Sequence, residues 1–231
     1  EGLADSAPAK PPPEKWFEGE SVPDESASLM GRTIPEAFVR RALACRKDVV
    51  AADDLSGVVT YERFLVSAQA LARQFEKISV DNVGVMLPAS AATDIVLFAT
   101  QLAGKTPVLL NWTTGPGNLA HAAKTMELTH VVTSKRFVDR LAISVKGTDD
   151  LYLEDIRRNI GKLELLLLLL RTRLFPKSIL RRLPSCVPED PAVVLFTSGS
   201  EKAPKAVPLT HHNILSNIQS VLDGYDMRRR D

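Results

Sequence analysis

Three short apolar runs, VGVML at 83–87, TPVLL at 106–110 and HVVTS at 130–134, are separated by stretches whose apolar residues recur at helical spacing. Runs of this length rich in valine and threonine read as buried strands, and the stretches around Ile95 to Leu102 and Asn118 to Met126 read as helices. Strands alternating with helices of that size demand crossover connections. The expected fold is therefore α/β, a largely parallel sheet with helices on both faces. A fourth run, AVVLF at 192–196, has the same character and ends where polar residues begin. Upstream, Tyr61, Phe64, Leu65, Ala68, Leu71, Ala72 and Phe75 fall on one side of an amphipathic helix. Before it, Thr33 and Glu36 stand at capping-box spacing ahead of Ile34, Phe38 and Ala42.

The rest of the 231-residue chain narrows the classes of function. With 45% hydrophobic and 25% charged residues it can bury a substantial core, and a net charge of +1 gives no general attraction to nucleic acid. Cys45 and Cys186 are too sparse for a disulfide framework or a metal site, which fits a reducing, cytoplasmic setting. Residues 1–29, with PAKPPPEKW, read as a Pro-rich linker or tail that Trp16 and Phe17 could anchor, and 30–231 as the folded body. No basic segment followed by an apolar core opens the chain. From Gly161 to Leu183, six consecutive leucines are followed by Arg171, Arg173, Lys177, Arg181 and Arg182. This run falls short of the about 20 apolar residues that span a bilayer. It reads either as a buried helix or as one lying at a membrane surface.

After the 192–196 strand comes FTSGSEKAPKAVPLTHHN. Thr197, Ser198, Gly199 and Ser200 offer hydroxyls and accessible amides, and Lys202 and Lys205 add charge, a composition suited to surrounding a polyphosphate. No glycine-lysine-serine/threonine triplet follows Gly199, so a Walker loop is excluded. The stretch instead resembles the signature loop of the adenylate-forming superfamily, which includes acyl-CoA synthetases, firefly luciferase and peptide-synthetase adenylation domains. Thr197 to Glu201, Pro204, Lys205, Val207, Thr210, His211 and Asn213 follow its pattern, whereas Lys202 and Ala206 replace customary glycines. A residue other than glycine held at positive φ costs about 1–2 kcal/mol. One charge-assisted hydrogen bond from Lys202 returns about 1.5–3 kcal/mol.

Further blocks, TYERFLVSAQALARQF from Thr60, the segment from Asn82 through LLN at 109–111, and HVVTSKRF from His130, extend the resemblance from about Thr33 onward. Within the superfamily they are most similar to the acyl-ACP synthetase domain of bifunctional 2-acylglycerophosphoethanolamine acyltransferases. The resemblance implies a ligase that uses ATP and Mg²⁺ to convert a fatty acid to its acyl-adenylate and then to a thioester of acyl carrier protein or CoA. Thr197, Ser198, Gly199, Ser200, Glu201, Lys202 and Lys205 would hold the nucleotide, with Lys205 the catalytic candidate and Glu201 assisting Mg²⁺ indirectly. It further implies acyl transfer to a lysophospholipid at the cytoplasmic face of the inner membrane. Adenine, ribose and lysine motifs that follow the loop in the family are not found after Ser200, so the chain is expected to be an N-terminal portion, inactive alone. Alternatives are a non-catalytic α/β scaffold, favoured by Lys202 and Ala206, and a ligase for another carboxylic acid.

Two motifs receive structural readings. His211 and His212 are adjacent at a helix start, so their rings diverge, and His211 is expected to pack or hydrogen-bond near the loop with Thr210 as N-cap. NWTTGPGN at 111–118 lacks the third glycine and acidic partner of a dinucleotide fingerprint, and reads as a turn with Asn118 as helix cap. His121 and His130 are isolated in the sequence and read as ordinary, partly buried side chains.

Overall fold

A computed structural model describes residues 29–54, 56–197 and 203–224. The linker reading of 1–28 and its anchor, Trp16 and Phe17, lie outside these described residues. The strands in chain order are β1 (Val49–Asp53), β2 (Gly57–Thr60), β3 (Asn82–Val85), β4 (Thr106–Leu109), β5 (His130–Thr133), β6 (Asp149–Tyr152), β7 (Pro191–Phe196) and β8 (Ala206–Thr210). The helices are α1 (Ile34–Ala44), α2 (Tyr61–Phe75), α3 (Ala91–Leu102), α4 (Pro116–Thr125), α5 (Lys135–Leu141), α6 (Leu153–Asn159), α7 (Lys162–Leu174), α8 (Pro176–Leu180) and α9 (His211–Gly224).

Strands β6-β5-β3-β4-β7-β8 form one sheet in that order, all pairs parallel except β7 with β8. The expected α/β sheet is thus present, closed at one edge by an antiparallel strand. Alternation along β3 divides the core in two. Val83 and Val85 meet α1, α2 and α3, whereas Met86 meets α4 and the buried residues of β4, β5 and β7 on the opposite face. Gly84 between them is required by close packing, because a Cβ there would stand 2.9 Å from Val131 Cγ2.

Local signals explain the helices. Thr60 and Ser90 accept backbone N–H groups of Arg63 and Thr93 and start α2 and α3. Phe64, Leu65, Ala68, Ala72 and Phe75 are buried as their spacing predicts. The capping box at Thr33 takes a different form. Thr33 makes no side-chain cap; Glu36 instead accepts from the Arg32 N–H at 3.0 Å and pairs with Arg40 at 2.8 Å.

Residues 161–183 form not one helix but two, broken at Phe175 ahead of Pro176. Proline at the first position of α8 lacks the N–H that would continue α7. A third layer results, with α7 on the outside of α2 through Leu168, Val66 and Ala70. Gln69 donates to Thr172 Oγ1 at 3.3 Å, and Arg73–Glu164 and Arg173–Glu62 ion pairs at 2.9 and 2.7 Å flank the contact. Among the described residues no helix is long and apolar enough to cross a membrane.

Candidate functional site

The carboxyl ends of the parallel strands gather the chain's connecting turns. Adjacent strands β3 and β4 send their following helices, α3 and α4, to opposite faces, which opens a crevice of the kind where ligands bind in α/β sheets. Several helix N-termini approach this edge, and protein carboxylates already occupy two of them. Asp53 Oδ2 accepts the Ala91 N–H of α3 at 2.7 Å. Glu154 accepts Ser134 Oγ at 2.9 Å and the Lys135 N–H at 3.1 Å at the start of α5. Burial alone would raise the Glu154 pKa, but its hydrogen bonds outweigh that and hold the carboxyl below its ordinary range. Asp94, in the first turn of α3, is pushed up by burial and then by the nearby Asp53 charge. The α3 and α5 termini therefore repel further anions.

The loop after β7 has its described ends, Thr197 and Pro204, beside the turn that ends β4. It joins β7 to antiparallel β8, so it is the tip of a hairpin and not a strand-to-helix turn. Thr197 and Lys205 close its base: the Thr197 N–H donates to the Lys205 carbonyl at 3.1 Å, and the Lys205 N–H donates to Thr197 Oγ1 at 3.0 Å. Phe196 and Ala206, one step inside, pack against the core. Ser198, Gly199, Ser200, Glu201 and Lys202 lie outside the described residues. Lys205 is exposed and its ammonium forms no ion pair with the described residues. Ala206 starts β8 opposite Phe196, and it is not among the described non-glycine residues at positive φ. Alanine at this customary glycine position carries no backbone strain.

His121 is partly buried, as expected of an ordinary side chain, and its contact reaches the loop. From α4 its Nε2 stands 3.1 Å from the carbonyl of buried Pro204, at the second stem of the loop. Spacing in sequence carries no hint of this contact, which joins residues 83 apart.

The 111–118 turn satisfies its own polar groups. Asn111 Oδ1 accepts the Thr113 N–H and hydroxyl at 3.0 and 2.8 Å, and Thr114 Oγ1 donates to the Asn111 carbonyl at 2.8 Å. Gly115, at φ +85°, is the N-cap residue of α4. Asn118 is inside the helix and donates to the Thr114 carbonyl at 2.9 Å, which corrects its reading as the cap. Between this turn and the loop lies a cavity of about 50 Å³ bordered by Asn111, Thr114, Asn118, Phe196, Thr197 and Pro204. It is too small to enclose a nucleotide.

His211 is not beside the loop. It begins α9 at the opposite end of the hairpin, where its N–H donates to the Asp190 carbonyl, a strand length of about 17 Å from the tip. Thr210 and Asn213 cap α9 reciprocally at 3.1 Å. The His211 ring is 4% exposed, and Nδ1 accepts the Ile34 N–H at 3.3 Å, tying α9 to the first turn of α1. Burial lowers its pKa, opposed by the Asp190 charge. His212 points outward, as expected for adjacent helical residues. Among the described residues no cluster of three or more His, Cys, Asp or Glu has metal-binding geometry, and neither cysteine forms a disulfide.

Comparison with known proteins agrees with the fold. Residues 39–231 match the AMP-binding enzyme family. Long-chain-fatty-acid–CoA ligase 4 of Saccharomyces cerevisiae is 56% identical over 34 residues, 15% of this chain and 5% of that protein. The fatty acyl-adenylate ligase from L. pneumophila, solved with acyl adenylate and pyrophosphate, superposes with a TM-score of 0.66 at 18% identity, over 87% of this chain and 34% of that one. O-succinylbenzoate coenzyme A synthetase from Bacillus subtilis, solved with AMP, gives 0.65 at 16% identity, over 84% and 47%. The chain thus spans less than half the length of each of these relatives.

Proposed function

The chain belongs to the AMP-binding enzyme family, and from that premise we propose that it contributes the phosphate-holding part of an ATP-dependent ligase that activates a fatty acid. The observation that carries this reading is the Thr197–Lys205 clasp, which holds a polar loop and an exposed ammonium at the carboxyl end of β7. The described residues fit a triphosphate. Thr197 Oγ1 accepts the Lys205 N–H and still has its own hydrogen to donate, and Lys205 supplies charge. Mg²⁺ would arrive with the nucleotide.

In the proposed reaction a fatty-acid carboxylate oxygen attacks the α-phosphorus of ATP. The bond to the β-phosphate oxygen breaks, pyrophosphate leaves, and a pantetheine thiol of CoA or acyl carrier protein later displaces AMP. Thr197, Ser198, Gly199, Ser200, Glu201, Lys202 and Lys205 would position the triphosphate and offset its charge as it departs. The yeast ligase segment is the support for a fatty acid as the substrate. Onward transfer to a lysophospholipid at the cytoplasmic face of the inner membrane rests on the sequence resemblance alone.

The test separates the two half-reactions in a protein extended to the length of its relatives. Lys205→Ala should slow adenylate formation about 10–150-fold, the loss of a charged contact of about 1.5–3 kcal/mol, and leave thiol transfer from preformed acyl-adenylate unchanged. Equal loss in both steps, or none, removes Lys205 from this role.

A further inference from the structure

Six consecutive leucines place an apolar side chain on every side of α7, but among the described residues α7 is packed chiefly on the side facing α2. Leu168, 2% exposed, and Thr172 turn toward α2. Leu163, Leu166, Leu167, Leu170 and Leu174 recur at i, i+3, i+4, i+7 and i+11, a spacing that makes one continuous stripe on the side away from α2. They are 67, 50, 57, 43 and 64% exposed, and Phe175 at the break before α8 is 63% exposed. At 1.5 Å per residue the stripe runs about 16 Å. It is too short to cross a hydrocarbon layer of about 30 Å, and suited to lying along its surface.

Charge distinguishes the kind of surface it meets. Residues 161–183 hold one acid, Glu164, which is engaged by Arg73. Arg173 is engaged by Glu62, while Lys162, Lys177, Arg181 and Arg182 are exposed and form no ion pair with the described residues. Within residues 161–183 the stripe is thus followed by a cationic turn and helix that add no carboxylate, while Glu189 stands beside Leu180 and Leu183. Protein interfaces draw on aromatic, methionine and arginine anchors, and leucine is under-represented among their energetic centres. A face of leucines bordered by unpaired cations instead matches an apolar layer covered by anionic headgroups.

We propose that α7 and α8 form a peripheral docking face for an anionic lipid bilayer, with the leucine stripe at the headgroup–acyl boundary and Lys162, Lys177, Arg181 and Arg182 among the headgroups. The docking face stands on these exposures and charges and does not depend on which acid the enzyme activates.

The chain is sedimented with phosphatidylcholine vesicles with and without phosphatidylglycerol. Binding is expected on the anionic vesicles and to be weak on the neutral ones. Leu166→Ser/Leu170→Ser/Leu174→Ser should weaken anionic binding about tenfold or more. Arg181→Gln/Arg182→Gln should weaken it about 25-fold, near fivefold per charge, with no further loss on neutral vesicles. These side chains face solvent, so far-ultraviolet circular dichroism and the melting temperature should stay at wild-type values. Absent binding, binding without anionic preference, or variants that sediment like the wild type would each overturn the proposal. So would a concentration-dependent dimer that the leucine variant abolishes while lipid binding persists, because the stripe would then be covered by a second copy.

Discussion

Thr197→Val tests the clasp at the base of the loop. Valine keeps the β-branched shape and leaves the Thr197 N–H bonded to the Lys205 carbonyl at 3.1 Å, so only the second bond, Lys205 N–H to Thr197 Oγ1 at 3.0 Å, is lost. Thr197 and Lys205 are both exposed, and water can replace the missing acceptor. The cost is then the net value of a neutral hydrogen bond, about 0.5–1.5 kcal/mol, without a penalty for a buried orphan donor. In hydrogen exchange of the ligand-free chain, the Lys205 amide should exchange about 2–13-fold faster, while amides in the middle of β7 keep their protection. Thr197→Ser should restore the slow rate, because a serine hydroxyl can accept the same N–H. Measuring without nucleotide separates loop closure from direct contact with phosphate. Unchanged Lys205 exchange in Thr197→Val, or failure of serine to rescue, would refute the clasp as what holds the loop's ends.

Two further outcomes follow from packing and titration. Leu168→Ala should cost about 2–5 kcal/mol and Leu167→Ala less than about 0.5 kcal/mol by denaturant melts, because the first fills the contact with α2 and the second faces solvent; equal costs would mean that α7 is rotated. The lowered pKa of His211 means that the unfolded chain takes up its proton first. Its contribution is fully present above the unfolded value near 6.5 and is lost as pH falls through that value toward the folded pKa. Denaturant midpoints should fall in this window and flatten in His211→Asn. Glu36 and Glu62, whose values are lowered from 4.5 by hydrogen bonds from Arg32 and Arg173, lose their contributions only at more acid pH.

The central sheet was legible because buried parallel strands are short apolar runs and their covering helices keep helical spacing. TPVLL and HVVTS contain β4 and β5, and VGVML and AVVLF contain all but the first residue of β3 and of β7. The β1–β2 hairpin was not legible, because its strands are mostly half-exposed or exposed and alternate weakly. Gly57 at φ +63° was the available sign of its turn. β8 carried a clue in Pro208, which is tolerated at a sheet edge and disfavoured in the centre. At the site, residue types and order pointed to a polyphosphate loop, but not to its being a hairpin tip. The His211–Ile34 and His121–Pro204 contacts join residues 177 and 83 apart, and only the sheet order brings them together. Extended backbone at Ala206 removes one of the two departures that favoured a scaffold reading; the other, Lys202, lies outside the described residues.

Titration of the isotopically labelled chain with Mg·ATP and with Mg·pyrophosphate, followed by amide chemical shifts, tests the central claim most directly. Saturable shifts are expected, centred on Thr197, Lys205 and the 111–118 turn, absent at the carboxylate-closed starts of α3 and α5, and weakened in Lys205→Ala. Shifts centred on Ala91 or Lys135, or none at Thr197 and Lys205 at saturating ligand, would contradict that claim.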